Sequence, residues 1–438
     1  MTDTRTPVTA TGDQQDRPAR GIGGALRAAE IDTRLVGMLV ALALIWVAFH
    51  IMSGGTFLTP RNLWILSVQT ASVAIMATGM VLVIVSRNID LSVGSLVGVL
   101  GMSMALIQAE ILPGFLGFDH PLTWIIALVA GIALGAVIGG FQGAIVAYVG
   151  VPSFIVTLGG LLVWRGTAWA LSSGRTVAPM DSTFQLLGGG SRGSIGGGWS
   201  WFVGIATCFG IVALLADSRR QRRKYDFRLR PMWAEITLGV VACGAVLAAV
   251  FVLNRYYLPE GLARVYAEER GIEYPEAGLN ISAGIAYPVL IALGVALVMT
   301  FIATRRRFGR YVYAIGGNPE AAELGGINSR RTIVKTFALM GALVGLAAAV
   351  QIARLNAAVS GLGTLTELYV IAAAVIGGTS FAGGIGTIPG AVLGALLMQS
   401  LQSGMVLMNV DAPLQNIVVG IVLVIAVTLD SIYRRRAS

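Results

Sequence analysis

The sequence predicts an all-α protein that crosses a membrane many times. Of its 438 residues, 55% are hydrophobic and 12% are charged, whereas a soluble domain has about 25% charged residues. The mean hydropathy is +0.78, and apolar runs of about 20 residues, the length that crosses a hydrocarbon core, recur along the chain. The net charge of +9 is carried by arginines that cluster between these runs. Arginine-rich loops are topology signals of membrane proteins, so the charge does not indicate a nucleic-acid partner.

The apolar runs predict ten to twelve spans in total. Up to residue 353 the predicted spans are 35–51, 68–85, 92–107, 122–148, 152–171, 201–216, 235–253, 286–303 and 332–353. From 368 to 429 the chain contains a hydrophobic stretch broken by glycines and a final span that begins near Leu414. The chain is therefore divided into a polar N-terminal tail, 1–34, which is predicted to be disordered, a membrane domain, 35–430, which includes a polar loop at 305–331, and a basic C-terminal tail, 431–438.

The charges of the loops predict how the spans are oriented. Loops 218–230 and 305–331 are dominated by arginine, and loops of this composition stay in the cytoplasm. Loop 254–284, which lies between them, contains more glutamate than arginine and is predicted on the opposite side. Both termini are then cytoplasmic. For the C-terminus to lie on the cytoplasmic side, segment 368–408 must enter and leave the membrane on one face, as two spans or as a re-entrant pair.

The second arginine-rich loop contains the signals of a short helix. Asn318 can cap a free backbone N–H group, Pro319 suits the first helical position, and Glu320 places a negative charge near the positive end of the helix dipole. Gly325 and Gly326 supply the stop. The predicted helix has about two turns and a length of roughly 9 Å. Because so short a helix is marginal in water, we expect a neighbouring element to hold it.

Two hydrophobic passages are interrupted in similar ways. The first breaks between Ser86 and Asp90, where Asp90 can cap a helix that begins at Leu91. The second breaks at the glycines between 377 and 386 and resumes after Pro389. Irregular backbone at membrane depth is tolerated where protein or a water-filled cavity satisfies it, and paired breaks in a transporter point to its pathway. The candidate pathway residues are Asn88, Asp90, Ser92, Thr379 and Ser380.

Asp90 allows two interpretations, which can both hold. It can be a helix cap close to the cytoplasmic surface. It can also line the pathway, although a carboxylate at the bilayer centre costs about 2.5 to 3.5 kcal/mol.

The sequence predicts no enzyme, metal site or bound cofactor. It contains no Gly-Lys pair, and its lysines are Lys224 and Lys335, so a Walker A motif for binding ATP is absent. The zinc-binding pattern HExxH is absent as well. Cys208 and Cys243 lie in apolar runs without a CxxC partner, which is typical of free thiols.

Three runs occur in the order of a known transporter family: IDLSVGS at 89–95, AIGGNPEAAELGGIN at 314–328, and ELYVIAAAVIGGTSFAGGIGTIPGAVLGALL at 367–397. In these runs the chain resembles the permease subunits of bacterial ATP-driven (ABC-type) sugar importers of the ribose/xylose branch. The resemblance covers about residues 35 to 430. The segment SGRTVAPM at 173–180 and the acidic loop that follows are most similar to the xylose-type members.

The resemblance implies a fold, a function and partners. The fold would be a helical bundle with discontinuous helices and an internal repeat, located in the bacterial inner membrane. The chain would form the pathway for a monosaccharide, D-xylose or a related pentose, while a separate cytoplasmic ATP-binding subunit hydrolyses ATP. A periplasmic sugar-binding protein and a second copy of the permease would complete the importer. The residues implied in coupling to the ATPase are Asn318, Pro319, Glu320, Glu323 and Gly325.

The alternative left open is an ion-coupled secondary transporter or a channel that acts alone. Ion-coupled carriers need carboxylates deep in the bundle. Asp90 and Glu367 are the two candidates, and both lie near predicted span ends.

Overall fold

The computed structural model describes residues 33–190, 192–227, 229–269, 271, 273–275 and 278–435. Residues 1–32 of the predicted N-terminal tail and residues 436–438 of the predicted C-terminal tail lie outside this range. Within the described residues the chain is helical. The β contacts there are isolated bridges that join Val177 with Ala358, Ser194 with Ala286, and Tyr257 with Ser282.

In chain order, the main helices are α1 Thr33–Met52, α2 Pro60–Val85, α3 Val93–Leu106, α4 Thr123–Ala144, α5 Ser153–Ser172, α6 Gly196–Lys224, α7 Met232–Asn254, α8 Glu260–Glu269, α9 Tyr287–Arg305, α10 Arg307–Gly317, α11 Pro319–Leu324, α12 Ser329–Leu355, α13 Thr366–Ile376, α14 Ile388–Leu407 and α15 Ala412–Arg435. Wider π-helical turns extend α3 over Ile107–Ile111 and α4 over Ile145–Val149. Short helices lie at Pro113–Leu116, Ser182–Gln185 and Leu186–Gly188.

The prediction of an all-α membrane protein with ten to twelve spans is confirmed. Among the described residues, ten helices are long and apolar enough to cross a membrane, namely α1 to α7, α9, α12 and α14. Two shorter apolar helices, Thr366–Ile376 and Ala412–Thr428, bring the number of apolar helices among the described residues to twelve. The internal repeat stays a prediction.

Several helices extend beyond the apolar runs that predicted them. α2 begins at Pro60, eight residues before the predicted span, because the hydroxyl of Thr59 accepts a hydrogen bond from the Asn62 N–H group and Pro60 occupies the first turn. α6 continues to Lys224, so much of the first arginine-rich loop is helical. Arginine has a high helix propensity, and basic residues in the last turn suit the helix dipole. The last helix, α15, likewise runs into the predicted C-terminal tail.

α2 is the central helix of the bundle. Its most apolar stretch is 94% buried, and it packs against α9, α12, α13 and α14. A helix that is apolar on all sides is typical of such a position. The corresponding stretches of α6 and α7 are only 11% and 6% buried, so this pair lies at the periphery.

Glycines set a close crossing between two helices, α4 and α12. A Cβ atom added to Gly139 would collide with the backbone oxygen of Phe337, and one added to Gly341 would collide with that of Gly135. Small residues allow helix backbones in a membrane to approach this closely. α4 and α12 therefore form one tightly packed unit.

Segment 368–408 forms a helical hairpin around the second break. α13 has 11 residues and a length of about 16 Å, roughly half of the hydrocarbon core. α14 has 20 residues and can cross the core. The two helices pack closely, since a Cβ atom added to Gly394 would collide with the backbone oxygen of Ala373. The discontinuous helix predicted at the second break is therefore present.

Candidate functional site: the short helix and its junction with the chain breaks

α11 forms where the sequence predicts a short helix. The Asn318 Oδ1 atom accepts a hydrogen bond from Ala321 N at 3.0 Å, and Pro319 lies in the first turn. Gly326 has a φ angle of +80°, which glycine adopts readily, whereas Gly325 has a φ angle of −75°. The stop therefore depends on Gly326, and Gly325 occupies a conformation that other residues adopt without strain.

Most of α11 faces outward. Ala322 is 6% exposed and lies where α11 packs against α10 and α12. Glu320 and Glu323 are exposed, and the Leu324 side chain beside them is 91% exposed. The outward surface of α11 thus combines two carboxylates with one large apolar side chain.

α10 connects α11 with the bundle, and it was not predicted from the sequence. Its buried residues Val312, Ile315 and Gly316 lie on one helical face, and the helix ends at Gly317, next to the cap of α11. The missed signal is the spacing of Phe308, Val312 and Ile315, which recurs with the helical period inside a stretch that its arginines mark as a loop.

Two side chains attach α10 to the two chain breaks. Arg87, in the first break, donates from Nε to Gly316 O at 2.7 Å and from Nη2 to Gly317 O at 2.8 Å. The Tyr313 hydroxyl donates to Gly386 O, in the second break, at 2.7 Å. Burial raises the pKa of the Tyr313 phenol, so the hydroxyl stays protonated and remains a donor. Neither Arg87 nor Tyr313 was among the predicted site residues.

The second break also contacts the end of α2 that leads into the first break. Gly384 N donates to Val85 O at 3.0 Å, and a Cβ atom added to Gly316 would collide with the same oxygen. Three backbone segments therefore meet here without room for side chains. We call the meeting point of Val85, Arg87, Tyr313, Gly316 and Gly384 the junction. Through α10 and the junction, α11 is attached to both breaks.

Asp90 is 1% exposed, and its hydrogen bonds are local. Oδ1 accepts from Ser92 N at 2.9 Å and from Ser92 Oγ at 2.6 Å, whereas Oδ2 has no partner among the described residues. α3 begins at Val93, so the prediction that Asp90 caps a helix from Leu91 was wrong. The carboxylate instead closes a turn with the N–H group two residues later, which is a common conformation of aspartate.

The other pathway candidates are also buried. Asn88 donates from Nδ2 to the backbone of its own break, and Ser92 Oγ lies 3.1 Å from Gln142 Oε1 on α4. The hydroxyls of Thr379 and Ser380, in the second break, have no partner among the described residues. The candidates therefore fall into two groups, one in the first break beside α4 and one in the second break. That they line a pathway stays a prediction.

The described residues contain no group of three or more histidine, cysteine, aspartate or glutamate side chains that could hold a metal ion. Cys208 and Cys243 are half-buried free thiols on α6 and α7. Each sulfur lies 3.8 Å from the backbone oxygen of the other cysteine.

Comparison with known proteins identifies the family. A family model described as branched-chain amino acid transport system / permease component matches residues 62–427. The xylose transport system permease protein XylH of Haemophilus influenzae is 37% identical over 91% of this chain and 96% of its own length. XylH of Escherichia coli K12 is 36% identical, over 95% and 96% of the two chains. The ribose import permease protein RbsC of the same organism is 31% identical, over 91% and 92%.

No solved structure matches the chain significantly. The family model and these relatives each cover most of the chain. The relatives are named after sugars and not after amino acids. The chain therefore belongs to this permease family, in its xylose and ribose branch of ABC sugar permeases.

Proposed function

We propose that the chain forms the pathway by which an ATP-driven importer carries D-xylose, or a related pentose, across the bacterial inner membrane. Two xylose permeases are 37% and 36% identical to the chain, a ribose permease 31% and an allose permease 27%. This order of similarity favours xylose as the cargo. The chain is a transporter component, and its own sequence lacks the Walker A lysine.

The observation that carries this proposal is the attachment of α11 to both breaks. An ATP-binding subunit that docks on α11 would contact Glu320, Glu323 and Leu324, which are the large exposed side chains of the helix. Asn318, Pro319 and Gly325 would support this surface as the cap, first turn and end of the helix. A movement of α11 would then reach Arg87 and Tyr313, and through them the two breaks.

Orientation and assembly follow from the same proposal. The last turns of α6 and α9 are basic, which favours the cytoplasm for these ends and for both termini. A periplasmic sugar-binding protein would deliver the cargo on the opposite side. A second copy of the permease would form the other half of the membrane assembly, in contact with the lipid bilayer.

An ion-coupled carrier that acts alone is the second candidate; the named relatives do not favour it, and it rests on two buried carboxylates alone. Glu367 is 5% exposed, and its Oε2 atom, like Asp90 Oδ2, has no partner among the described residues. Unpaired intramembrane carboxylates are typical of ion and proton pathways. This candidate predicts transport without ATP.

Uptake by proteoliposomes separates the two candidates. We expect uptake of labelled D-xylose when the permease is assembled with the ATP-binding subunit and the sugar-binding protein and ATP is supplied, and no uptake by the permease alone on an ion gradient. Uptake by the permease alone would contradict the importer. Excess unlabelled ribose and allose should leave the uptake of D-xylose unchanged, and preferred uptake of either would reassign the cargo.

A further inference from the structure

The bundle contains a cavity lined by side-chain amides. It has a volume of about 420 Å³ and lies between α2, α12, α13 and α14. Its amide side chains are those of Asn62, Gln69, Gln351, Gln399 and Gln402. Gln69 lies about 24 Å along α2 from Val85 at the junction. The cavity is therefore near the end of α2 that is remote from the junction.

Some of these amides join helices. Gln399 Nε2 donates to Gln69 Oε1 at 3.3 Å, between α14 and α2. Gln351 Nε2 donates to Ser72 Oγ, also at 3.3 Å, between α12 and α2. Interhelical hydrogen bonds of this kind stabilise membrane bundles. The two bonds occupy one side-chain polar atom each of Gln69, Gln351 and Gln399.

The other polar atoms of the amides are open. Gln69 Nε2, Gln351 Oε1 and Gln402 Nε2 make no hydrogen bond within the described part of the chain, and they are not among its fully buried unpartnered atoms. The Nε2 atoms of Gln108 and Gln142, by contrast, are enclosed by protein without a partner. The free donors and acceptors of the cavity are therefore reached from open space.

A neutral set of donors and acceptors suits a neutral, hydroxylated ligand. A hydroxyl group both donates and accepts, as does a side-chain amide, and Tyr369 adds an aromatic ring to the wall. Among the described lining residues the one charged side chain is Arg354, which borders a second cavity of about 520 Å³. The two cavities share Ile65 and Arg354. Both volumes are in the range of small-molecule pockets, about 300 to 1,000 Å³.

We propose that the amide cavity is a site inside the permease where a neutral monosaccharide binds by hydrogen bonds to the open atoms of Gln69, Gln351 and Gln402. The inference rests on the proposed function, which it extends by naming where the sugar is held. Each open amide atom offers uncharged hydrogen bonds, which are individually weak enough for a cargo that must leave again.

The test uses the complete importer in proteoliposomes and two readouts, uptake of labelled D-xylose and ATP hydrolysis stimulated by the loaded sugar-binding protein. The double variant Gln351→Leu/Gln402→Leu keeps apolar bulk and removes open polar atoms. Its uptake per ATP hydrolysed should fall about tenfold, as expected for the loss of one or two hydrogen bonds. The control Gln415→Leu removes an amide of α15 that donates to Val410 O outside the cavity, and it should leave this ratio unchanged.

A labelling measurement tests the site without relying on the double variant. In a Cys208→Ala/Cys243→Ala background, the single variant Gln402→Cys should react with a small water-soluble thiol reagent. D-xylose should slow that reaction, because a sugar bound by the remaining amides covers this position.

The outcomes separate the inference from the proposed function. Unchanged uptake together with unchanged stimulated ATP hydrolysis in the double variant would overturn the inference and leave the importer intact. Equal loss of uptake and of stimulated ATP hydrolysis, without any effect of D-xylose on labelling, would also overturn it, because the amides would then only hold the helices. If the wild-type importer takes up no sugar with ATP, the proposed function fails, and the inference fails with it.

Discussion

Arg87 and Gly316 are joined across 229 positions of the chain by a hydrogen bond of 2.7 Å from the guanidinium Nε atom to the backbone oxygen. The neighbouring Gly317 oxygen accepts from Nη2 at 2.8 Å. Carbonyl groups at the end of a helix lack partners within it and carry the negative end of its dipole. The rigid fork of a guanidinium satisfies both and adds a positive charge. Arg87 has a φ angle of +62°, uncommon for a residue other than glycine, so the first break adopts an unusual backbone where it presents this side chain.

Replacement of Arg87 should uncouple the importer. Arg87→Ala removes two hydrogen bonds from a charged donor, each worth about 1.5 to 3 kcal/mol, and releases α10 from the first break. We expect the stimulation of ATP hydrolysis by the loaded sugar-binding protein to fall at least about tenfold. Arg310→Ala, which removes an exposed arginine of the same helix, is the control and should retain the stimulation. A wild-type response of Arg87→Ala would show that the junction does not transmit motion.

Reversal of charge on α11 should abolish coupling without affecting insertion. Glu320→Arg/Glu323→Arg replaces the two carboxylates of the outward surface by positive charges. A partner surface that is complementary to the glutamates would be positive, and like charges across a docking surface oppose binding. We expect normal amounts of permease in the membrane and no stimulation of ATP hydrolysis by the loaded binding protein. Glu268→Arg, an exposed reversal on α8 in the predicted external loop, should keep the stimulation. Normal stimulation of the double variant would exclude the coupling role of these glutamates.

Leu324 should contribute apolar contact to the ATP-binding subunit. Its side chain is 91% exposed in the permease alone. Docking of the ATP-binding subunit would bury it, and truncation of a side chain that anchors an interface costs about 2 kcal/mol or more. Leu324→Ser should therefore weaken binding of the purified subunit to the permease at least about tenfold. Leu229→Ser, at a leucine 41% exposed in the other arginine-rich loop, should leave the affinity unchanged. Equal affinities of both variants and the wild type would place the contact elsewhere.

The parts of the site that depend on residues close together in the sequence were predictable from it. Asn318 caps an N–H group three residues later, and Gly326 ends the helix through its own backbone angle, so both ends of α11 are encoded locally. The junction is not encoded locally. Arg87 and Gly316 meet only when α2 and α10 pack against each other, and no pattern near either residue specifies that contact.

The amide cavity was missed for a related reason. Gln69 and Gln399 each occur inside a strongly apolar run, 330 positions apart, and tertiary packing alone brings them into contact. A single glutamine in a predicted span gives no information on which helix faces it. The span count, by contrast, follows from apolar length and was correct, although capping residues such as Thr59 shifted the start of α2.

Asp181 should make the loop between α5 and α6 sensitive to pH. The side chain is 4% exposed, and this burial raises the pKa of its carboxyl. The hydrogen bond from Phe184 N lowers the pKa, whereas the nearby Asp119 raises it further. The folded state therefore holds this proton more firmly than the unfolded state. The resulting stabilisation is complete below the ordinary pKa of aspartate and is lost as the pH rises through the raised pKa.

The variant Asp181→Asn tests this dependence. The amide oxygen can still accept from Phe184 N, which the wild-type Oδ1 does at 2.9 Å, but no charge is buried at neutral pH. The unfolding temperature of the purified variant should exceed that of the wild type at neutral pH, and the difference should vanish as the pH falls to about 4, near the ordinary pKa of aspartate. Identical pH profiles of the two proteins would show that the Asp181 carboxyl does not contribute.

Two adjacent glycines of α4 allow the helix crossing to be tested with matched variants. A Cβ atom at Gly139 would collide with the backbone oxygen of Phe337, which cannot move without shifting α12, whereas a Cβ atom at Gly140 would lie 3.5 Å from the Cβ atom of Ala338, an ordinary contact. Gly139→Ala should therefore lower the free energy of unfolding by about 1 to 3 kcal/mol, as overpacking does. Gly140→Ala should be neutral or stabilising by up to about 1 kcal/mol, because alanine favours the helix. Thermal unfolding of the two purified variants measures the difference, and equal unfolding temperatures would mean that α4 and α12 are not in the close contact described.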